Sequence, residues 1–255
     1  VHLTTDAGAV SEAAFEHALI ATGTHPHRPH NVPFDGKRIL DSDEILNLEH
    51  LPRTLTVIGG GVIGVEYATI FSALDVPVTL IEARENILEF VDREIVDDFI
   101  HQMRDRGMTI RLGSAVKEIT ASANCVDVSL ADGRRVRSEM LLYAAGRSGN
   151  VEGLGLDALG IEADNRGRIK VDPHTYQTNV PHIYAAGDII GFPSLASTSM
   201  EQGRVAACHA FNMKLPPSPE TFPYGIYAVP EISTVGQSEE QVRAIYDLVK
   251  WAPTS

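Results

Sequence analysis

Three glycines, Gly59, Gly61 and Gly64, have the spacing Gly-x-Gly-x-x-Gly and directly follow a short apolar run. Each has a separate use in a phosphate-binding turn. Gly59 allows a tight turn, Gly61 lets the backbone approach a pyrophosphate, and Gly64 lets a helix pack close to the strand. Val62 and Ile63 then fall in the first helical turn, where unpaired amides and the helix dipole favour an anion. The stretch predicts a dinucleotide site.

A carboxylate and a cation follow about 20 residues later, the distance at which such sites recognise the ribose. Glu82 ends a second apolar strand, where a carboxylate accepts hydrogen bonds from the ribose hydroxyls of NAD and repels a 2′-phosphate. Arg84 stands two residues further and can bind that phosphate through two hydrogen bonds, although an exposed, solvated arginine is the commoner case. We therefore expect binding of both NAD(H) and NADP(H), with NAD(H) somewhat favoured.

The elements around the glycines are those of a doubly wound α/β fold. Strands are predicted at 55–58 and 78–81, and Asp92 is expected to cap a second helix that ends before Gly107. Apolar residues recur at helical spacing in both helices and predict one buried face in each. These residues are Ile63, Tyr67, Ile70, Phe71 and Leu74 in the first helix, and Ile95, Phe99, Ile100 and Met103 in the second. A glycine-rich turn in some other doubly wound sheet is the alternative.

From Thr109 the apolar period changes to two, which predicts a β-meander with a hairpin turn at 131–134 and then a buried strand at 140–146. Buried strands are also predicted to close on Gly23 and to deliver Gly187 and Asp188 at a carboxyl end, where ligands bind in open α/β sheets. A Gly-Asp pair is also common in turns. A short strand is expected at 168–171 and a helix at 197–211.

Composition limits the possible partners. The 255 residues carry a formal net charge of −13, so nucleic acid is an unfavourable partner, and no apolar run approaches the length that spans a bilayer. The two cysteines, Cys125 and Cys208, are far apart in sequence, which fits a reducing cytoplasm. Three histidines at 25–30 suggest a metal, but two prolines and the lack of interleaved cysteines or carboxylates favour a linker, and no metal site is predicted.

Several segments together resemble the flavin-dependent oxidoreductases with two dinucleotide-binding domains, the family of dihydrolipoamide and glutathione reductases. The likeness lies in Ala21-Thr22-Gly23, in Ala144-Ala145-Gly146-Arg147, and in Tyr184-Ala185-Ala186-Gly187-Asp188. Residues 146–150, 191–197 and 222–233 are most similar to the members that exchange hydride between NADPH and NAD+.

This resemblance implies an FAD-dependent transhydrogenase activity in which the flavin carries the chemistry and no side chain acts as a catalytic nucleophile. It places Glu66 near the nicotinamide and Asp188 on the flavin ribityl chain. It also directs the helix that starts at Ala196 and Ser197 toward the flavin pyrimidine. Gly23, Gly146, Arg147 and Gly187 join the cofactor-binding set. A cytoplasmic homodimer is implied for a longer parent protein. A disulfide or dithiol reductase of the same family, and a catalytically incomplete NAD(H)-binding module, are the alternatives.

The same likeness divides the chain into a Rossmann-like NAD(P)-binding domain inserted in a partial FAD-binding domain, followed by the start of an α+β interface domain. Residues 1–27 are assigned to the FAD-binding domain, 28–50 to a linker and 51–147 to the NAD(P)-binding domain. Residues 148–215 return to the FAD-binding domain and 220–243 begin the interface domain. The tail at 244–255 is atypical of the family. We therefore expect a fragment of a longer protein.

Overall fold

The computed structural model describes residues 2–4, 8, 10–214 and 222–250. Pro216, Pro217 and Pro219 also predict a stiff linker in the sequence. This linker and the last five residues of the predicted tail lie outside the described residues. The chain divides into two compact units. The first consists of Val1–His25 and Arg147–Glu220, and the second of Pro26–Gly146 and Thr221–Ser255.

The helices are α1 (Val62–Ala73), α2 (Arg93–Asp105), α3 (Ala196–Ala210) and α4 (Glu239–Lys250), with short 3₁₀ turns at Glu44–Asn47, Leu156–Leu159 and Asp188–Ile190. The strands in chain order are β1 (His2–Thr4), β2 (Val10–Glu12), β3 (Ala18–Ile20), β4 (Thr24–Pro26), β5 (Ile39–Leu40), β6 (Leu55–Ile58), β7 (Val78–Ile81), β8 (Thr109–Arg111), β9 (Val116–Ala121), β10 (Val126–Leu130), β11 (Arg135–Ser138), β12 (Met140–Tyr143), β13 (Arg147–Gly149), β14 (Ile183–Ala185), β15 (Tyr224–Ile226) and β16 (Ile232–Thr234). Every described helix is too short or too polar to cross a bilayer.

The second unit is built on a five-stranded parallel sheet with the order β5-β12-β6-β7-β8. Strand β6 lies in the centre, and Leu55 is in register with both Val78 and Met140. Each residue of β6 is buried, as expected for a parallel strand covered on both faces. This confirms the predicted α/β class, and it brings the carboxyl ends of β6 and β7 to one edge of the sheet.

Helix α1 buries a different face from the predicted one. Gly64, Val65, Ala68 and Thr69 are buried together with Phe71. Ile70 and Leu74, which were expected inside, are 39% and 52% exposed. The helix is apolar on most sides, so its periodicity does not identify the buried face. Gly64 on the buried face lets the helix lie close to the end of β6, because a Cβ there would meet the carbonyl oxygen of Gly59.

Helix α2 begins as predicted, because the side chain of Asp92 accepts a hydrogen bond from the amide of Glu94. Its buried face includes Val96 in place of the expected Ile95, which is exposed. Helix α4 begins beside it. The other carboxylate oxygen of Asp92 accepts from the amide of Glu239, and Glu240 accepts from the amide of Arg93. Each of the two helix starts thus receives a carboxylate from the other.

The predicted meander is only partly correct. Strand β8 joins the parallel sheet, and β9, β10 and β11 form a separate antiparallel sheet with β10 in its centre. The hairpin turn between β10 and β11 contains Gly133 at φ +86°, a left-handed conformation that suits glycine. Apolar residues of this sheet share a core with Ile58, Ile81 and Leu141 of the parallel sheet.

In the first unit, β14 pairs in parallel with β3. Strand β14 is fully buried, but β3 is not the buried strand that was expected, since Leu19 is 46% exposed. The strand predicted at 168–171 is absent from the described residues. Ile169 makes an isolated bridge to Ala163 instead, because the side chain of Asp164 accepts from the amides of Arg166 and Arg168 and closes a turn.

Candidate functional site

The first and third glycines of the predicted motif lie in close contact. A Cβ atom on Gly64 would lie 1.9 Å from the carbonyl oxygen of Gly59, and one on Gly59 would lie 2.5 Å from the carbonyl oxygen of Ala144. Gly59 also has φ +114°, where other residues are strained. These two positions therefore require glycine because strand β6, helix α1 and the end of β12 approach each other at backbone distance.

Gly61 differs from its neighbours, since no atom lies within 4 Å of the position that its Cβ would occupy. Its φ of −77° is open to any residue, so the backbone does not require glycine here. Helix α1 begins at this point without a side-chain cap, and Val62 and Ile63 are partly exposed in its first turn. The space in front of a helix start, left open by the missing side chain, suits the pyrophosphate of a dinucleotide.

Glu82 follows β7 at the same edge of the sheet and is 6% exposed. Its Oε2 accepts from the amide of Gly60 at 2.5 Å, and its Oε1 accepts from the amide of Arg84 at 2.9 Å. The guanidinium of Arg84 spans both oxygens, with Nε 3.1 Å from Oε1 and Nη2 3.1 Å from Oε2. The carboxylate thus already has four donors, which is about the number that it can accept.

Burial raises the pKa of Glu82, but the hydrogen bonds from the Arg84 side chain and from the amides of Arg84 and Gly60 outweigh it and hold the pKa below its ordinary value. Arg84 has its own pKa raised, mainly by its hydrogen bond to Glu82. The pair is therefore ionised at neutral pH. Arg84 Nη1 makes one more contact, 2.9 Å from Oε2 of Glu89, which is half-exposed.

Gly60 and Glu89 were not singled out from the sequence. A Cβ atom on Gly60 would lie 2.5 Å from Cγ2 of Ile87 and 2.9 Å from Oε2 of Glu82, so the second glycine of the Gly59-Gly60-Gly61 run makes room for both side chains. The three consecutive glycines were visible in the sequence and indicated a crowded turn. Nothing in the spacing showed that Glu89 would meet Arg84.

Glu66 lies in the second turn of α1 and is partly exposed. Its Oε1 accepts a hydrogen bond from the amide of Tyr227, and Thr69 Oγ1, one turn further on, accepts from the amide of Val229. These bonds fasten the segment between β15 and β16 to α1. Glu66 is thus engaged by the backbone of a neighbouring segment within the second unit.

In the first unit, Thr24 joins two of the predicted cofactor-binding residues, Arg147 and Asp188, although Thr24 itself was not predicted from the sequence. Arg147 Nε donates to Thr24 Oγ1 at 2.7 Å, and Nη2 of the same arginine donates to the Thr24 carbonyl at 2.8 Å. Thr24 Oγ1 in turn donates to Oδ2 of Asp188 at 3.3 Å. Gly23, at φ +68°, is fixed next to this chain because its carbonyl accepts from the amide of Asn150.

Gly187 is held by Gln202 of α3, a nearly fully buried residue whose Oε1 accepts from the Gly187 amide at 2.7 Å. Helix α3 begins at Ala196 and Ser197, both exposed, without a side-chain cap. Close behind them, Thr198 is fully buried and its Oγ1 has no hydrogen-bond partner among the described residues. An uncapped helix start with an unsatisfied buried hydroxyl fits an acceptor-rich group such as the flavin pyrimidine.

Gly146 lies at the end of the second unit, exposed and at φ +109°, and its carbonyl accepts from the amide of His27. His25 of the disfavoured metal hypothesis pairs with Asn150, whose Oδ1 is 2.6 Å from the imidazole Nδ1. Within the described ranges, no group of three or more His, Cys, Asp or Glu side chains is arranged to hold a metal ion.

Comparison with known proteins places these features in a family. The model of the pyridine nucleotide-disulphide oxidoreductase family matches residues 1–203. A soluble pyridine nucleotide transhydrogenase of Mycobacterium bovis is 47% identical over 227 residues, which are 89% of this chain and 48% of the relative. A protein of the same name from Yersinia pestis is 45% identical over 90% of this chain and 49% of the relative. The chain thus spans about half the length of these relatives.

Solved structures also superpose closely on this chain. The crystal structure of LpdA from Mycobacterium tuberculosis superposes with a TM-score of 0.88 at 31% identity, over 95% of this chain and 53% of that one. The HOCl-induced flavoprotein disulfide reductase RclA from Escherichia coli superposes with a TM-score of 0.84 at 29% identity, over 95% of this chain and 56% of that one.

Proposed function

The chain belongs to the pyridine nucleotide-disulphide oxidoreductase family, and we propose that it carries the nucleotide sites of an FAD-dependent transhydrogenase that moves hydride from NADPH to NAD+. The observation that carries this proposal is the ion pair of Glu82 and Arg84 at the end of β7. A transhydrogenase must accept both dinucleotides at one ribose subsite. A carboxylate suits the 2′-hydroxyl of NAD(H), and a guanidinium suits the 2′-phosphate of NADP(H).

In this proposal the second unit binds the dinucleotide. The first turn of α1, with Gly61, Val62 and Ile63, binds the pyrophosphate. Gly59 and Gly64 allow the close packing that orients the helix toward it. The adenosine ribose lies beside Glu82 and Arg84, where its hydroxyl takes the place of one of the four donors that Glu82 has in the absence of a ligand. Glu66 lies one helical turn further on, toward the nicotinamide end. Gly146 follows β12, at the point where the chain leaves this domain and returns to the flavin-binding segments.

The first unit contributes to the flavin site. Asp188 receives the ribityl chain, and its carboxylate is oriented by Thr24 and Arg147. Gly23 and Gly187 keep side chains out of this region, and the start of α3 at Ala196 and Ser197 turns its free amides toward the pyrimidine. When bound, FAD supplies the hydride acceptor. The residues named here bind and orient the two cofactors, and none needs to act as a nucleophile.

The remaining assignments rest on the same likeness. We propose that the domain boundaries are the ones predicted from the sequence and that the longer parent protein is a cytoplasmic homodimer, in line with relatives that are named soluble transhydrogenases. Sedimentation of the longer parent protein at low and high concentration tests the dimer. A protein that remains a monomer at all concentrations contradicts it.

The test of the main proposal is direct. The 255-residue chain is titrated with NADH, NADPH and FAD, and NADPH-to-thio-NAD+ transfer is then measured with FAD present. Binding of both dinucleotides and of FAD, with flavin-dependent transfer, supports the proposal. A chain that binds neither dinucleotide overturns it. The matched control is Asp188→Asn, which should weaken FAD uptake without changing NADH binding.

Disulfide reductase activity is the second candidate, and the likeness to the flavoprotein disulfide reductase RclA favours it. The two cysteines of this sequence are free thiols far apart in sequence, so they do not supply a close redox pair. Reduction of a disulfide substrate to its dithiol by NADH in the same assay, without transfer between nucleotides, would support this second candidate. An NAD(H)-binding module without flavin chemistry would bind NADH and take up no FAD.

A further inference from the structure

We infer that Glu89 is a positioning residue that sets the preference between NADH and NADPH by holding the guanidinium of Arg84. The inference rests on the proposed function, because it concerns the ribose subsite of the same dinucleotide site. Nothing in the glycine motif or in the Glu82 position assigns a role to Glu89, which follows Arg84 by five residues in the loop before α2.

The guanidinium of Arg84 is engaged through all three of its nitrogens. Nε and Nη2 bind the two oxygens of Glu82, and Nη1 binds Oε2 of Glu89. A 2′-phosphate that accepts two hydrogen bonds from this guanidinium must displace at least part of this arrangement. The free-energy cost of binding NADPH therefore depends on whether Glu82 or Glu89 is displaced from Arg84.

The two carboxylates differ in what displacement costs. The side chain of Glu82 is 7% exposed, so releasing it would leave a buried carboxylate without its cation. The side chain of Glu89 is 51% exposed, and water can solvate it when Arg84 leaves. A 2′-phosphate therefore takes the Nη1 side of the guanidinium, where Glu89 occupies the donor. NADH has no phosphate at this position and does not meet Glu89.

Glu85 supplies a matched comparison. It lies in the same loop, carries the same charge and is also exposed. Its carboxylate lies against Gly113, where a Cβ would come within 2.7 Å of Oε1, and the described structure gives it no hydrogen bond to Arg84. Removing this charge changes the net charge of the loop as much as removing that of Glu89. It leaves the contacts of Arg84 unchanged.

The test compares Glu89→Gln with Glu85→Gln by titrating the chain with NADH and with NADPH at one ionic strength. We expect Glu89→Gln to raise the affinity for NADPH relative to NADH by about twofold to fivefold, the range of an exposed ion pair. Glu85→Gln should change the NADPH-to-NADH affinity ratio by less than half of the change seen with Glu89→Gln. Equal changes in the two variants would mean that only bulk charge matters and would overturn the inference, as would no change in Glu89→Gln.

A double variant separates an effect through Arg84 from direct repulsion of the phosphate. In an Arg84→Ala background, Glu89→Gln should no longer alter the NADPH-to-NADH ratio, because there is no guanidinium left to release. A change of full size in that background would overturn the positioning role. If the unmodified chain fails to bind NADH, the proposed function itself is wrong. If the unmodified chain binds NADH but Glu89→Gln leaves the NADPH-to-NADH affinity ratio unchanged, only the role proposed for Glu89 is wrong.

Discussion

The carboxylate of Glu66 accepts a hydrogen bond from the amide of Tyr227, with Oε1 and N 2.8 Å apart. One helical turn later, Thr69 Oγ1 accepts from the amide of Val229 at 3.0 Å. The segment between β15 and β16 is therefore tied by its backbone to the helix that begins the dinucleotide site. Two polar side chains of α1 thus hold the backbone of this segment.

This relationship predicts separate, local effects of two substitutions. Glu66→Ala should speed hydrogen exchange at the Tyr227 amide by an amount equal to about 1 kcal/mol, because an exposed charged acceptor is lost. Thr69→Val should do the same at Val229 and leave Tyr227 protected. Glu66→Gln keeps an acceptor and serves as the control. If each variant speeds hydrogen exchange equally at the Tyr227 and Val229 amides, the segment unfolds cooperatively and this prediction is wrong.

Two glycine substitutions should separate folding from binding. Gly64→Ala places a methyl group 1.9 Å from the carbonyl oxygen of Gly59, so we expect a loss of at least about 1–3 kcal/mol in the free energy of unfolding. Gly61→Ala meets no atom within 4 Å and should leave stability almost unchanged. It should weaken NADH binding, because the methyl group occupies the space next to the pyrophosphate. Urea denaturation and NADH titration of both variants check this. A Gly61→Ala chain that binds NADH normally would contradict the placement of the pyrophosphate.

The pH dependence of stability should report on Glu82. The pKa of this carboxyl is lower in the folded chain than its ordinary value of 4.5. The stability that it contributes is thus fully present above pH 4.5 and is lost as the pH falls through the folded-state pKa. We expect Glu82→Gln to be less stable than the unmodified chain at neutral pH. The difference in unfolding free energy should shrink as the pH is lowered below 4.5. Urea denaturation across this range measures it, and a pH-independent difference would contradict the ionised pair.

Arg84 should discriminate between the two dinucleotides. Arg84→Ala is expected to weaken NADPH binding by about 1–3 kcal/mol, the scale of a lost charge-assisted contact, and to leave NADH nearly unchanged. Arg93→Ala removes the same charge from an exposed arginine that pairs with Asp97 in α2, and it serves as the control. Fluorescence titration with both dinucleotides decides the matter. Equal losses for the two, or no loss, would remove Arg84 from the ribose subsite.

The sequence predicted those parts of the fold that depend on backbone packing and local capping. The strand before Gly59, the helix after it, the cap at Asp92 and the left-handed Gly107 are all present. These features are local, because a close approach, a cap or a positive φ restricts the residue type at one position.

The errors concern features that depend on distant partners. The buried face of α1 was wrong at Ile70 and Leu74, because an apolar helix does not reveal from its own sequence which side meets the sheet. Thr24 and Gln202 were missed because their hydrogen bonds join segments far apart in the chain. The hydrogen bond from the amide of Gly60 to Glu82 was missed for the same reason, since 22 residues separate the two.

The exchange of carboxylates between α2 and α4 makes their first turns a single cooperative element. Asp92 serves the amides of Glu94 and Glu239 at once, and Glu240 serves the amide of Arg93. When either helix frays at its start, an amide at the start of the other loses its acceptor. The described side chains at the beginning of α4, residues 239–244, are exposed, and the exchange of carboxylates joins this turn to α2. Fraying at the two helix starts is therefore thermodynamically coupled, and one aspartate sets the free-energy cost of both.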